Sequence, residues 1–130
     1  MEDGTGPAAV GRTAMAAVQD GRREAWLGLF ADEARVEDPV GHLPAIVGRE
    51  SLARFWDAGI ASLTSVRFDV GRHWEAADEA MLLATVTVVA GNGVEVSYDG
   101  TFNYAIDEDG RIVSLRAFWD LPAVAAAFTA

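Results

Sequence analysis

The sequence predicts an α+β domain in which three helices precede four long, mainly antiparallel strands. Three observations carry that prediction. Apolar residues recur at helical spacing as far as Ile60 and alternate with polar ones from Val66 onward. The turn signals Asn92-Gly93 and Asp107-Glu108-Asp109-Gly110 divide the second half into strands. The chain has 130 residues, 51% hydrophobic and 23% charged, which suits one packed domain. A strongly curved sheet wrapped on helices leaves a cone with an apolar mouth, the default place for a ligand.

Residues 1–7, polar with Gly and Pro, read as a flexible leader, and 8–130 as a single domain. The first helix spans 8–20, with Val10, Ala14, Ala17 and Val18 on its apolar face and Gly21 closing it. A second helix carries Trp26, Leu29 and Phe30 as its stripe. A short strand over 34–38 follows, then a loop over 40–48 with two Gly and one Pro. The third helix, 50–60, places Leu52, Phe55, Trp56 and Ile60 on one side. Val66, Phe68, Val70 and Trp74 then alternate with Arg67, Asp69, Gly71 and His73, as in a half-buried strand. An apolar run over 81–90 leads into the Asn92-Gly93 hairpin. Val94, Val96, Tyr98, Phe102, Tyr104 and Ile106 share the inward face of the next strand. The last strand spans 111–119, Pro122 ends the sheet, and the Ala-rich tail forms a short helix.

Composition excludes several functions. There is no cysteine, so disulfides, a thiol nucleophile and thiolate metal sites are ruled out, and a reducing cytoplasm is the default location. Met1 is followed by Glu2 and Asp3, so no signal peptide is expected. No apolar run approaches ~18 residues, so no membrane-spanning helix is expected. The net charge of −10 opposes binding to nucleic acid or anionic lipid. The two histidines, His42 and His73, lie 31 positions apart and offer no zinc spacing. There is no G-x-S-x-G, and Gly91-Asn92-Gly93 lacks the later glycine and helix of a dinucleotide loop. No cofactor is implied.

The chemistry concentrates at Val36-Glu37-Asp38-Pro39-Val40-Gly41. Proline cannot donate to a ladder, so the strand ends near Asp38. Successive strand residues face opposite ways, so Glu37 and Asp38 cannot both enter one cavity. One is a candidate working carboxylate and the other faces water.

The segments ADEARVEDPVGHLPAIVGRE and SLARFW, with the later DEDGRIVSLRAFW, resemble the Δ5-3-ketosteroid isomerase branch of the nuclear transport factor 2-like fold. The relatives of that branch include SnoaL-like polyketide cyclases and epoxide-opening polyether cyclases. The resemblance runs from Ala14 to Trp119 and implies a cone-shaped domain, a homodimer paired through the outer sheet face, and Asp38 as general base with Glu37 turned away. In the steroid isomerases such an aspartate shuttles a proton between two carbons. A tyrosine on the first helix and a protonated aspartic acid on the third long strand hold the dienolate. Here the tyrosine position falls on Ala14 and the acid position on Phe102, while two supporting tyrosine positions match Phe30 and Trp56.

Loss of one preorganised oxyanion donor commonly costs about 10²–10³ in rate. The resemblance therefore implies a hydrophobic small-molecule substrate and a base without the usual dienolate trap. That suits a cofactor-free isomerase or cyclase acting on a polycyclic or polyketide-type compound. The alternatives are a steroid isomerase with relocated donors, a non-catalytic binder of a hydrophobic ligand, and an interaction module. Phe55, Phe102, Leu115 and Trp119 are the expected cavity walls, with Phe30 and Trp56 deeper and Ala14 at the vacated tyrosine position. Tyr98 and Tyr104 share the face of Phe102 and either pack in the core or offer hydroxyls to the cavity. Asp99 and Asn103 fall on the opposite face by alternation. His42 can reach the mouth as an acid or donor or remain an exposed loop residue, and His73 reads as surface. Burial in an apolar cavity should raise the Asp38 pKa while leaving it mostly ionised near neutrality.

Overall fold

The computed structural model describes residues 5–129. Residues 1–4 of the expected leader lie outside this range, and Pro7 already opens the first helix. The elements are α1 (Pro7–Gln19), α2 (Arg23–Leu27), β1 (Phe30–Glu37), β2 (Ile46–Val47), α3 (Arg49–Ala58), a 3₁₀ turn (Ile60–Ser62), β3 (Ser65–Ala76), β4 (Glu79–Val89), β5 (Glu95–Ile106), β6 (Ile112–Phe118) and α4 (Leu121–Thr129). Six strands form one mixed sheet in the order β2-β1-β6-β5-β4-β3, with β1 parallel to β6 and every other pair antiparallel. The helices pack against one face of the sheet, and the core of Phe30, Val36, Leu52, Leu82 and Ile112 fills the space between.

Local chemistry explains the main elements. Proline suits the first turn of α1, whose Ala8 N–H donates to Glu75 Oε1 at 2.9 Å. Gly21 closes the helix at φ +68°, and Gly93 takes φ +89° in the β4–β5 hairpin. Ala8, Gly11 and Ala14 recur every three residues along α1 and are all buried, so its backbone lies close to the sheet.

Three expectations need correction. The segment 40–48, expected as a loop, contains β2, which pairs with β1 at Arg35 and Val36. The second helix stops at Leu27 and does not include Leu29 or Phe30. Phe30 instead opens β1 and pairs with Ile112, whose N–H donates to Leu29 O at 2.8 Å. Arg49 Nη2 also donates to Phe30 O at 2.7 Å, so sheet pairing overrides the helical stripe. In β3, a register shift between Val70 and Arg72 reverses the alternation. Trp74, expected on the buried face with Val70, is therefore 49% exposed on the outer face. His73 turns toward α1, where Arg12 Nη2 donates to its Nδ1 at 3.2 Å.

Candidate active site

Asp38 follows the last residue of β1 and precedes a cis peptide bond to Pro39. The Val40 N–H donates to Ala117 O at 2.8 Å and fastens this segment across β6. Glu37 points to the outer face, where Arg116 Nε donates to its Oε1 at 3.0 Å and Arg35 lies at 3.6 Å. Asp38 points the other way, into a cavity of about 460 Å³ between the helices and the concave face.

That cavity treats its one carboxylate unusually. The lining is almost wholly apolar, and among the described residues no ion pair reaches Asp38. Its partner is the Trp119 indole, whose Nε1–H donates to Oδ1 at 2.6 Å. Asp38 keeps some accessible surface because it borders the cavity, so a seated apolar ligand would complete its desolvation. Burial pushes its pKa above the ordinary carboxylate value, and the Trp119 hydrogen bond partly opposes that rise. The Tyr98 and Tyr104 phenols are pushed up as well, first by burial and then by the charge on Asp38. Both stay neutral donors through the physiological range.

The cavity brings together Asp38, Phe55, Tyr98, Phe102, Tyr104, Leu115 and Trp119. The Tyr98 ring lies 4.9 Å from the Trp119 ring, centroid to centroid, and Phe102 meets Phe68 edge-on at 5.8 Å. Four expected lining residues lie elsewhere. Ala14 faces the sheet in the tight α1 contact, so Met15 and Val18 line the cavity in its place. Phe30 is fully buried behind the wall, packed edge-on against Trp26 at 4.8 Å. Trp56 packs against Trp26 at 5.4 Å between ring centroids and borders a separate, smaller cavity. His42 is exposed, and the adjacent Leu43 takes the position at the mouth. Asp99 sits on the outer face, where it accepts a 2.6 Å hydrogen bond from Thr85 Oγ1.

Two parts of the site are not anticipated above. Leu121, Val124, Ala125 and Phe128 of α4 close one side of the cavity. Their spacing of three, four and seven residues is the signal that would have found them. Gly100 is the other. A Cβ there would lie 3.0 Å from Phe118 O and 3.3 Å from Trp119 Cβ, so the bare backbone leaves room for the indole that holds Asp38. Among the described residues, no three His, Cys, Asp or Glu side chains gather as a metal site, and no helix is long and apolar enough to cross a membrane.

Comparison with known proteins agrees with this architecture. Residues 12–115 match the SnoaL-like domain. The Δ5-3-ketosteroid isomerase from Mycobacterium sp. superposes with a TM-score of 0.83 at 29% identity, covering 90% of this chain and 95% of that one. RV0760c from Mycobacterium tuberculosis, in complex with estradiol-17β-hemisuccinate, gives 0.82 at 25% identity over 89% and 95%. The epoxide hydrolase/cyclase-like enzyme SalBIII, of pyran ring formation in polyether salinomycin, gives 0.80 at 20% identity over 94% and 96%, a likeness of fold alone.

Proposed function

The chain belongs to the SnoaL-like domain family of the nuclear transport factor 2-like superfamily, and on that premise we propose that it is a cofactor-free isomerase or cyclase with Asp38 as its general base. The observation that carries this reading is a carboxylate placed in an apolar cavity with, among the described residues, no cation and a single indole donor. Structural needs do not explain such a group, because leaving it uncompensated costs stability. A base with a raised pKa is instead matched to proton abstraction near neutral pH. The substrate class is a hydrophobic polycyclic or polyketide-type molecule, since the surrounding wall offers mainly apolar surface and can hold a near-attack conformer by shape.

The test compares wild type with Asp38→Asn on 5-androstene-3,17-dione, following the conjugated enone by absorbance, and then on polyketide cyclisation substrates. A loss of about 10²–10⁴ in rate with ligand binding retained is the expected result. Turnover that survives the substitution would remove Asp38 from the role of base. A second reading, a non-catalytic ligand carrier, is favoured by the steroid-type ligand bound to RV0760c. It predicts binding without turnover on any of these substrates.

We further propose a second copy of the chain as partner, docked on the outer sheet face. Trp74, Met81 and Phe118 are exposed there, and Asn103, between Met81 and Arg116 in the register, has a buried Oδ1 without a partner. Sedimentation of Trp74→Asp should show a monomer where wild type sediments as a dimer; equal sedimentation of the two would sink this interface.

A further inference from the structure

The proton abstraction proposed above leaves one need unmet. When a base removes a proton from a carbon beside a carbonyl, the C–H electron pair becomes the new C=C bond and the C=O π pair moves onto oxygen. That oxygen needs a preorganised donor. The Trp119 N–H is committed to Asp38, and the Ser62 hydroxyl is committed to Gly59 O at 2.5 Å. Among the described lining residues, the N–H and O–H groups left without a partner are the Trp26 indole and the phenols of Tyr98 and Tyr104. Asp38 acts electrostatically on both phenols.

Register separates the two phenols. Val36 pairs with Leu115 and Leu115 with Tyr104, so Tyr104 lies two strands across from Asp38 and two residues along. At ~4.8 Å per strand and ~3.3 Å per residue, their Cα atoms are about 12 Å apart, a gap that two side chains and one substrate group can bridge. Tyr98 lies about four residues along in the other direction, which places its Cα about 16 Å away, and its ring is tilted against the Trp119 indole. The Tyr104 ring is also held. A Cβ on Gly11 would come within 2.7 Å of its Cδ2 and 3.0 Å of its Cε2, so the ring rests directly on the α1 backbone. Tyr104 is buried, lines the cavity, and has no hydrogen-bond partner for its hydroxyl among the described residues.

We propose that the Tyr104 hydroxyl, admitted and fixed by the missing side chain at Gly11, is the donor that holds the oxygen on which charge develops as Asp38 takes the proton. The substrate class is then an enolisable ketone or aldehyde carried on a hydrophobic frame. This inference rests on the reading of Asp38 as base. Asp38 receives the proton from carbon, and the neutral acid returns it to another carbon in an isomerisation or to the oxyanion formed by intramolecular carbonyl attack in a cyclisation. Atoms and charge balance in both, with no second reagent.

The probe is 2-naphthol, whose neutral and ionised forms emit at different wavelengths, bound to the full chain carrying Asp38→Asn, where the carboxamide stands in for the protonated acid. The expected result is an enhanced fraction of naphtholate emission on binding. Adding Tyr104→Phe should weaken binding about tenfold and return the emission to the neutral form. Adding Gly11→Ala instead, which displaces the ring but keeps the hydroxyl, should shift the emission in the same direction. Unchanged emission after Tyr104→Phe, or no naphthol binding by the Asp38→Asn protein, overturns the assignment. Either result leaves the role of Asp38 to the turnover comparison above, so the two ideas fail separately.

Discussion

Glu37 and Asp38 are neighbours in the chain and opposites in treatment. On the outer face, Glu37 is met by Arg116 and Arg35 at the sheet surface. On the inner face, Asp38 meets one indole N–H and a wall of hydrocarbon. The same sheet thus satisfies one carboxylate in the way surface charges ordinarily are and leaves the other uncompensated in its cavity. Charge that serves the fold is paired, whereas charge kept ready for a ligand is desolvated and left without a counter-ion.

The substitution expected to disturb this contrast most is Asp38→Asn, and beyond its effect on turnover it should alter stability in a pH-dependent way. The folded-state pKa of Asp38 lies above its ordinary value of 3.8. The stability linked to its neutral form is therefore fully present below the unfolded value and lost as pH rises through the folded one. Wild type carries that penalty at neutral pH, whereas the amide does not ionise. Asp38→Asn should accordingly melt higher than wild type at pH 8, by roughly 4 °C for each kcal/mol relieved. The gap should close as pH falls toward 4. A pH-independent gap, or a lower melting point for the variant at pH 8, would mean that the cavity does not desolvate Asp38.

Trp119→Phe comes next in expected size. It keeps the ring against Tyr98 but removes the one donor to the carboxylate. Since that hydrogen bond holds the Asp38 pKa down, its loss should move the rising limb of the pH–rate profile to higher pH. Activity at neutral pH should fall about tenfold and partly recover in alkaline buffer. A uniform loss with an unmoved limb would show that Trp119 only fills space.

How much of this was legible in the sequence follows from what is local. Alternation along β5 placed Tyr98, Phe102 and Tyr104 on one face and Asp99 on the other, and the structure agrees because β4 flanks that whole stretch in regular register, with β6 joining it at Phe102 and Tyr104. The acid pair before Pro39 marked the end of β1 from sequence alone. What escaped notice depends on non-local contact. The register shift in β3 turned Trp74 outward, and nothing in the alternation of Val66, Phe68 and Val70 announces where it ends. Counting back from Asp38 reached Ala14, but the rotation of α1 is set by how closely Ala8, Gly11 and Ala14 approach the sheet. The hydrogen bond between Asp38 and Trp119 spans 81 positions and depends on the bare backbone of Gly100, a residue that looks like an ordinary break in a strand pattern.

The smallest expected effect is at Glu37, and it sharpens the comparison because it should be nearly silent. Glu37→Gln keeps shape and hydrogen-bonding capacity but removes the charge that Arg116 and Arg35 face. Those arginine side chains are 50% and 59% exposed, so water and salt already screen the pairs. Exposed pairs of this kind contribute about 0–1 kcal/mol, and the denaturation midpoint should shift by no more than that, less still in high salt. Turnover and its pH profile should stay as in wild type, since Glu37 points away from the cavity. A large loss of activity in Glu37→Gln, with the fold intact, would mean that the charge on the outer face sets the state of Asp38 through the one peptide unit they share, and that the two carboxylates act as a single site.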